Sequence, residues 1–435
     1  MNAKLSLDST PLPRMVRARQ WFAEFPRADA EALTRRALGK LPPRIPRGGR
    51  VAVAVGSRGI DRLAEIVAAA ARALREAGLR PFLVPAMGSH GGGSPEGQRR
   101  VLTDYGISEE TIGAPLEPSI EVAPAGRTPE GTEVLCSKAA LEADGILLIN
   151  RVKPHTDFAG TLGSGLIKML TVGLGKPAGA RRFHAEAARR GYEATLKAMG
   201  EVLLKAAPVW GGLAILEGPR HELLRIEALA PEAFFEREPA LCEEARKLMP
   251  KLPFEDLDVL VIDRMGKDIS GVGMDPSVIG RTIHGYSTII PPEAPPPRIR
   301  RLVVCALSPG SRGNAIGLGM ADFAARRLVE GIDREATYLN AFTALSIQGA
   351  KIPITLPDDR RAFQAALATL GIEDPRRARA ARIRDTLSLE TLWISESLIP
   401  EAAARGLQVD GPPAPPRFDA EGRFVPIEEG PSPEG

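Results

Sequence analysis

Apolar runs alternate with helical patterns through the first half of the chain. Residues 51–55 form a short run rich in β-branched side chains, which is typical of a buried strand. A helical pattern over residues 60–77 follows, and a second apolar run covers residues 80–86. Residues 145–149 form a third run of the strand type. Strand–helix–strand alternation of this kind predicts a parallel, Rossmann-like sheet flanked by helices.

The alternation starts afresh in the second half of the chain. Strands are predicted at residues 257–262 and 299–306, and helices at residues 321–330 and 335–346, so we expect a second, smaller α/β domain. The start of the chain is rich in proline and arginine and is predicted to wrap over the main body. Its end is dominated by proline, glycine and glutamate, which predicts a disordered tail. The predicted segments are residues 1–50, 51–255, 256–410 and 411–435.

Three polar residues follow the predicted carboxyl ends of strands. They are Arg58, His90 and His155. Ligands of open α/β sheets bind beyond these strand ends. We therefore expect a ligand site at this edge of the sheet, where the three side chains can converge.

The histidines of this edge lie in glycine-rich stretches, together with a lysine. His90 lies in residues 85–93 (PAMGSHGGG), while His155 and Lys168 lie in residues 150–168 (NRVKPHTDFAGTLGSGLIK). Histidine titrates near neutral pH and is the commonest metal ligand, and glycine lets the backbone approach a bound group closely. Lys168 has apolar neighbours, among which an unpaired amine would be costly. The pattern indicates a site that holds a group and exchanges protons with it.

Several further polar residues have weaker patterns. Residues 173–176 (GLGK) are compatible with a phosphate cradle, although a Gly-x-Gly pattern alone is a weak signal. His221 and His284 are interpreted as ordinary polar residues. Asp275 and Arg281 either face the ligand or cap helices and pair with other residues.

Length and composition narrow the class of protein. At 435 residues the chain is too long for one ordinary core, so two domains are the default expectation. The net charge is only +3, aromatic residues make up 5% of the chain and there is no long basic block, so nucleic acid is not an expected partner. No membrane-spanning stretch and no signal-like segment is visible, and the three cysteines lie far apart, which favours a cytoplasmic protein.

Two motifs of the chain resemble those of the nickel-pincer lactate racemase family. Gly88-Ser-His90 is similar to a Gly-Thr-His motif, and residues 154–160 (PHTDFAG) are similar to a Pro-His-x-x-Ala-Gly motif with one extra residue. The likeness covers most of residues 50–350. The loop at residues 55–59 (VGSRG) keeps the arginine but lacks the acid and the proline of the family's Asp-x-Thr-Arg-Pro. The chain therefore resembles a divergent branch of the family.

The resemblance implies a fold and a set of site residues. It implies two α/β domains with the site in the cleft between them. Lys168 corresponds to the lysine that covalently carries a nickel-pincer nucleotide, of the pyridinium-3,5-bisthiocarboxylic acid mononucleotide type, and His184 corresponds to a nickel ligand. The other implied roles are cofactor binding by Arg58, Gly163 and Gly165, substrate binding by Arg58 and Lys267, and acid–base catalysis by His90 and His155.

The implied reaction is the racemisation or epimerisation of a 2-hydroxy acid by hydride abstraction and return. The α C–H bond of such an acid is poorly acidic, and a cofactor that accepts hydride avoids the carbanion. A proton-transfer group is needed on each face of the substrate, which accounts for two histidines. The expected partners are a small anionic substrate and the enzymes that synthesise the cofactor.

Two other functions stay open at this point. A divalent-metal-dependent dehydratase or lyase, acting on a hydroxy or sugar acid, would keep the histidines without the pincer cofactor. A non-catalytic protein that binds an anionic metabolite would keep the fold without turnover. Taken alone, His184 also fits a helix-end histidine, and Lys168 fits a lysine that extends along a helix edge.

Overall fold

The computed structural model describes residues 7–57, 59–155, 160–283 and 294–427, and these form two compact units. The N-terminal unit comprises Ala23–Met249. The C-terminal unit comprises Pro250–Gly435 together with Met1–Phe22. The predicted division near residue 256 lies close to the observed one, whereas the start of the chain belongs to the unit that is distant in sequence.

The strands are numbered in chain order as follows: β1 (Met15–Arg19), β2 (Arg50–Val55), β3 (Arg80–Pro85), β4 (Val122–Arg127), β5 (Glu133–Ser137), β6 (Gly145–Arg151), β7 (Val209–Glu217), β8 (Leu223–Leu229), β9 (Asp256–Met265), β10 (Arg298–Leu307), β11 (Phe323–Ala325), β12 (Ile354–Leu356), β13 (Ala380–Ile383), β14 (Thr391–Ser395) and β15 (Gln408–Ala414).

The helices are α1 (Ala30–Leu38), α2 (Leu63–Glu76), α3 (Pro95–Asp104), α4 (Glu109–Ile112), α5 (Lys138–Leu141), α6 (Leu166–Lys168), α7 (Lys176–Arg190), α8 (Tyr192–Ala206), α9 (Phe234–Leu248), α10 (Pro276–Ile279), α11 (Arg326–Glu330), α12 (Arg334–Thr343), α13 (Asp359–Ala368) and α14 (Ile399–Ala404). A π-helical turn, Met169–Gly173, continues α6. Within the described ranges, every helix is too short or too polar to cross a lipid bilayer.

A five-stranded sheet in the order β3-β2-β6-β7-β8 forms the centre of the N-terminal unit. Its first four strands are parallel, and β8 is antiparallel to β7. The side chains of β2 point alternately to the two faces of the sheet. Val51, Val53 and Val55 belong to the core that includes α1 and α2. Ala52 and Ala54 belong to the core that includes α8 and α9. Because helices cover both faces, the central strands are apolar throughout, and this confirms the predicted parallel α/β sheet.

The carboxyl ends of β2, β3 and β6 meet at one edge of this sheet because the three strands are parallel. Ser57 follows β2, His90 follows β3 and His155 follows β6. Since β2 lies between the other two strands, the ends of β3 and β6 are about 10 Å apart by ordinary strand spacing. The structure thus places the two histidine segments at the same edge, while Arg58 lies outside the described residues.

An eight-stranded mixed sheet forms the centre of the C-terminal unit, in the order β12-β11-β10-β9-β13-β14-β1-β15. The five strands from β12 to β13 are parallel, and β1 pairs antiparallel with both β14 and β15. Met15, Val16 and Ala18 of β1 are buried. Residues 15–19 were predicted to belong to a segment that wraps over the main body. They are instead a strand of this sheet, because their apolar side chains complete its core.

A disordered tail was predicted for residues 411–435, but residues 411–427 make regular contacts; residues 428–435 lie outside the described residues. Strand β15 extends to Ala414, and Phe418 and Phe424 form a β-bridge with ring centroids 4.6 Å apart. Phe424 is buried and packs against Phe363. The prediction followed the proline and glycine content of the segment and overlooked these two aromatic anchors.

Candidate active site

His90 lies in the loop after β3, and its ring is oriented by Ser57, which follows β2. Its Nδ1 shares a hydrogen bond with Oγ of Ser57. The hydroxyl of Tyr105 donates to the carbonyl oxygen of Ser57 at 2.8 Å, which fixes the position of the serine. His90 is partly exposed. A partner that fixes one ring nitrogen orients the imidazole, as an acid–base role requires.

A buried lysine braces the His90 loop from the interior. Lys176 is fully buried, and its Nζ donates to the carbonyl oxygen of Pro85 at 2.6 Å and to Oε1 of Gln98 at 3.5 Å. The amide of Gln98 donates in turn to the carbonyl oxygen of Gly88 at 2.9 Å. Burial lowers the pKa of Lys176 to about 8. The amine of Lys176 therefore donates its hydrogen bonds to oxygen atoms of the protein itself.

Residues 173–176 were considered as a phosphate cradle from the sequence. In the structure, Gly173 of this segment packs against the His90 loop instead. A Cβ atom on Gly173 would lie 2.6 Å from the carbonyl oxygen of Ala86. The N–H of Gly88 donates to the carbonyl oxygen of Gly173 at 3.1 Å. The glycine is needed because the His90 loop packs directly on this segment, and the phosphate interpretation is not retained.

His155 follows β6 on an arm that pairs with the glycine-rich stretch. Lys153 and Ser164 form a β-bridge, with N–H to carbonyl distances of 2.9 and 2.8 Å. A Cβ atom on Gly163 would lie 2.2 Å from the carbonyl oxygen of Lys153 and 2.5 Å from the amide nitrogen of His155. Gly163 is thus required for the two arms to meet, which is a different role from the cofactor contact that the resemblance implies.

A buried glutamate holds the turn that carries Lys168. Oε2 of Glu238, on α9, accepts the N–H groups of Leu166 at 2.9 Å and Ile167 at 3.1 Å. A Cβ atom on Gly165 would lie 2.2 Å from Oε1 of the same glutamate, so glycine is needed there to admit the carboxyl group. Burial raises the pKa of Glu238 to about 7, although the two N–H groups oppose the rise.

The position of Glu238 carries a signal that our sequence analysis missed. The buried residues of α9 include Phe234, Leu241 and Cys242, and Glu238 occupies the same face. Glutamate is almost never fully buried unless something pairs with it. A glutamate at a core position of an amphipathic helix therefore indicates a buried structural or functional carboxyl group.

One tyrosine brings His155 and Lys168 together. The ring of Tyr192, the first residue of α8, has its centroid 4.4 Å from that of His155, at an interplanar angle of 47°. Nζ of Lys168 lies 5.6 Å from the centroid of the same ring, which is within the range of a cation–π contact. Two residues singled out from the sequence thus share an aromatic ring that the sequence analysis did not identify.

His184 lies on α7, beside the same aromatic cluster. Its ring meets the ring of Phe183 edge-on at 5.6 Å, and Phe183 meets Tyr192 edge-on at 5.4 Å. His184 is partly exposed. Across the part of the chain that the structure describes, no three His, Cys, Asp or Glu side chains converge on a common metal position. The nickel-ligand role of His184 stays a prediction.

A buried ion pair orders the neighbouring part of the sheet edge. Arg151, at the end of β6, pairs with Glu217, at the end of β7, and both side chains are largely buried. Glu217 also accepts the N–H of Asp61 at 3.1 Å, which ties the loop after β2 to β7.

His221 lies in the turn between β7 and β8, whereas His284 lies outside the described residues.

Lys267 follows β9 in the C-terminal unit, beyond the carboxyl end of a parallel strand. Its Nζ donates to Oδ1 of Asn340 on α12, and its backbone N–H donates to Oγ of Ser311 at 3.2 Å.

Asp275 caps α10, and Arg281 forms a buried ion pair, so these two residues have the structural roles that the sequence left open.

Comparison with known proteins adds evidence on the fold. The sequence matches no protein-family profile and no curated protein. Among solved structures, the lactate racemase apoprotein from Thermoanaerobacterium thermosaccharolyticum matches over 86% of this chain and 99% of its own, with a TM-score of 0.52 and 13% identity. The chain shares the fold of a lactate racemase. A Thermotoga maritima protein matches over 75% of this chain and 84% of its own, with a TM-score of 0.46 and 15% identity.

The residues around Tyr192 fit the group that a lactate racemase-like reading implies. Lys168 is partly exposed, so a ligand can reach its amine, and its Nζ lies 5.6 Å from the centroid of the Tyr192 ring. The imidazoles of His155 and His184 are also partly exposed. Imidazole is a suitable ligand for nickel. The donor set is therefore compatible with a tethered nickel nucleotide.

Proposed function

We propose that the chain is an isomerase, namely a racemase or epimerase of a 2-hydroxy acid that works by hydride abstraction and return through a nickel-pincer nucleotide held on Lys168. The observation that carries the proposal is the shared contact of His155 and Lys168 with the ring of Tyr192. An amine suited to tethering and an imidazole suited to proton transfer thus contact the same aromatic ring. The fold, which is that of a lactate racemase, supports the same reaction class.

His90 and His155 are proposed as the acid–base pair. Their segments follow β3 and β6, which flank β2 at one sheet edge and whose ends are separated by about 10 Å. One imidazole takes the hydroxyl proton as the alcohol becomes a ketone. The other imidazole gives a proton to the oxygen when the ketone is reduced on its opposite face.

The remaining roles concern binding. Lys168 would hold the nucleotide, and His184 would ligate nickel. When bound, the nucleotide supplies the hydride acceptor that amino-acid side chains lack. Arg58 and Lys267 are proposed to bind the carboxylate of the substrate, since an arginine can donate two parallel hydrogen bonds to it.

Turnover of chiral substrates in deuterated solvent tests the reaction. The protein is expressed in the cytoplasm together with the cofactor-synthesis enzymes, its proposed partners, and incubated with single enantiomers of a panel of 2-hydroxy acids. We expect inversion of at least one acid with hydrogen retained at the inverted carbon, because the hydride returns without exchanging with solvent.

Three results would contradict the proposal. Inversion with deuterium incorporated at the α carbon would indicate a deprotonation mechanism. Elimination of water that magnesium or manganese alone restores would indicate a dehydratase or lyase. If the parent protein shows no turnover and His90→Ala binds the acid with the same affinity as the parent, the chain is a binding protein and not an enzyme.

A further inference from the structure

We propose that the chain forms a symmetric homodimer through an exposed apolar surface around α12, in the C-terminal unit. This surface, called the α12 surface below, comprises Tyr338, Leu339, Phe342, Leu345, Ile347, Ile352 and Ile354. Its partner is the same surface of a second copy of the chain. The inference goes beyond the proposed reaction and does not depend on it.

Exposed large apolar side chains are concentrated on the α12 surface. Of the nine that the described part of the chain exposes, seven belong to it, with exposed fractions from 42% to 65%. At about 200 Å² for a whole large side chain, the seven expose roughly 700–800 Å². Contiguous apolar patches on a monomer rarely exceed a few hundred Å², whereas each partner of a standard protein–protein interface contributes about 800 Å². The exposed area therefore matches one such interface.

Helix α12 has an apolar face beyond the one that its own unit buries. Thr337 and Ala341 form the buried face. Leu339 and Tyr338 precede Phe342 by three and four residues, so these three side chains share another face of the helix. A helix of ten residues is about 15 Å long, which allows the two copies of α12 to pack along this face.

The remaining residues of the α12 surface adjoin this helix. The 3₁₀ turn Ile347–Ala350 packs against α12, and Tyr338 and Ile352 line one shallow hollow. The helix, the turn and the segment that leads into β12 therefore present one continuous apolar surface.

Leu345 gives a second reason to expect a partner. It follows α12 with φ of 52°, at a position where glycine is usual because other residues are strained there. Its side chain is 52% exposed, so the single chain does not offset this strain by burying the leucine. A partner that covers Leu345 would offset it.

The charges that adjoin the α12 surface favour a second copy over a membrane. Arg334, Glu335 and Lys351 are exposed beside it. A two-fold interface brings a surface against itself, so charges of both signs at its rim can pair across the axis. A helix that lies on a membrane instead carries mostly lysine and arginine on its polar face, and α12 has one arginine and one glutamate.

Packing of side chains, and not pairing of strands, should form the interface. Strand β12 is the last strand of its sheet, but it has only three residues and lies between Pro353 and Pro357. Short edge strands and proline both prevent the pairing of sheet edges. Ile354 of this strand therefore contributes its side chain to the interface.

The test measures the mass of the full-length protein by light scattering during gel filtration at micromolar concentration. We expect twice the chain mass of 46.5 kDa for the parent. Phe342→Glu places a charge in the interface and should weaken dimerisation at least about 100-fold, while Phe342→Leu should stay dimeric. Trp21→Glu is the matched control, because Trp21 and Phe342 are both 65% exposed, and it should leave the dimer intact.

Cross-linking then locates the contact. The three native cysteines are buried, so Phe342→Cys supplies an accessible thiol on each copy, and a two-fold interface around α12 brings the two thiols close together. We expect a short bis-maleimide to join two chains of Phe342→Cys but not two chains of Trp21→Cys.

Three results would overturn the proposal. They are a monomeric parent, a dimer that Phe342→Glu leaves intact, and a monomer that sediments with phosphatidylcholine–phosphatidylglycerol vesicles unless Phe342 is replaced by glutamate, since the surface would then bind a membrane. If circular dichroism shows that Phe342→Glu has unfolded, Leu339→Glu takes its place, because Leu339 is 56% exposed. None of these measurements uses turnover, so failure of the proposed function would leave their result unchanged.

Discussion

The two glycine-rich segments at the sheet edge have similar composition but use their glycines for different physical reasons. All four glycines of residues 88–93 have φ between 58° and 67°, so the His90 loop depends on a backbone conformation that other residues adopt with strain. Of these four, Gly91 also lies where a Cβ atom would meet another backbone atom at 2.5 Å. Gly163 and Gly165 are not among the glycines with positive φ, and each lies where a Cβ atom would meet another group within 2.5 Å. Glycine content alone therefore does not distinguish a loop shaped by conformation from one shaped by packing.

The segments also differ in the buried ionisable group that supports each of them. Lys176 lies beneath the His90 loop, and Glu238 lies beneath the Lys168 turn. Burial favours the neutral form of both groups, which lowers the pKa of Lys176 to about 8 and raises the pKa of Glu238 to about 7. The free energy of unfolding is therefore expected to fall with rising pH through Glu238, below about pH 7, and to rise with pH through Lys176, above about pH 8.

The largest effect is expected for Gly165→Ala. The new methyl group would lie 2.2 Å from Oε1 of the buried Glu238, and neither the backbone nor the fully buried carboxyl group can move freely. We expect a loss of about 3 kcal/mol or more in the free energy of unfolding, measured by urea denaturation. Gly39→Ala is the control, since its methyl group would meet only carbonyl oxygens at 3.5 Å or more. Equal stability of the two variants would contradict the packing role of Gly165.

Glu238→Gln should change how stability depends on pH. The ordinary pKa of the carboxyl group is 4.5, so between pH 4.5 and about 7 the folded protein keeps a proton that the unfolded chain has lost. The free energy of unfolding should therefore fall as pH rises through this range, by up to about 3 kcal/mol. Glutamine keeps an acceptor for the two N–H groups but does not titrate. Denaturation at pH 5 and pH 8 should show a smaller difference in the variant than in the parent, and an unchanged difference would disprove the assignment.

Lys176→Met is expected to act in a higher pH range and with the opposite sign. Between pH 8 and the ordinary pKa of 10.5, the unfolded chain binds a proton that the buried amine has released. The parent should therefore gain stability as pH rises from 8 to 10.5, by up to about 3 kcal/mol, and the methionine variant should lack this gain. The variant also loses about 1 kcal/mol at all pH values, because the carbonyl oxygen of Pro85 loses its donor. Parallel pH curves for parent and variant would argue against a buried, titrating amine.

The smallest effect is expected for Gly92→Ala. The residue has φ of 67° and open space around its Cβ position, so the cost is conformational only, about 1 kcal/mol. Thermal unfolding measures it. A loss as large as that of Gly165→Ala would show that Gly92, like Gly165, is limited by packing, and the contrast between these two positions would then fail.

The sequence pattern was sufficient for the parallel sheet and for the place of the histidine segments. The apolar runs at β2, β3 and β6 predicted buried strands, and strand direction then put His90 and His155 at one edge. These features are local along the chain, or follow from a general rule about parallel sheets.

The missed features depend on contacts between residues far apart in sequence. Glu238 bonds to Leu166 across 72 residues, and β1 pairs with β14 near the opposite end of the chain. Tyr192 reaches His155 and Lys168 only because α7 and α8 fold back on the glycine-rich segment. No local period or motif encodes such pairings, whereas the polar residue on the apolar face of α9 was a local sign that could have been used.

The most direct test of the central claim is the mass of the peptide that contains Lys168, measured with the nickel content of the protein after coexpression with the cofactor-synthesis enzymes. We expect an added mass on Lys168 and about one nickel ion per chain, and we expect Lys168→Arg to lose both. An active racemase with unmodified Lys168, or with the added mass on another lysine such as Lys176, would contradict it.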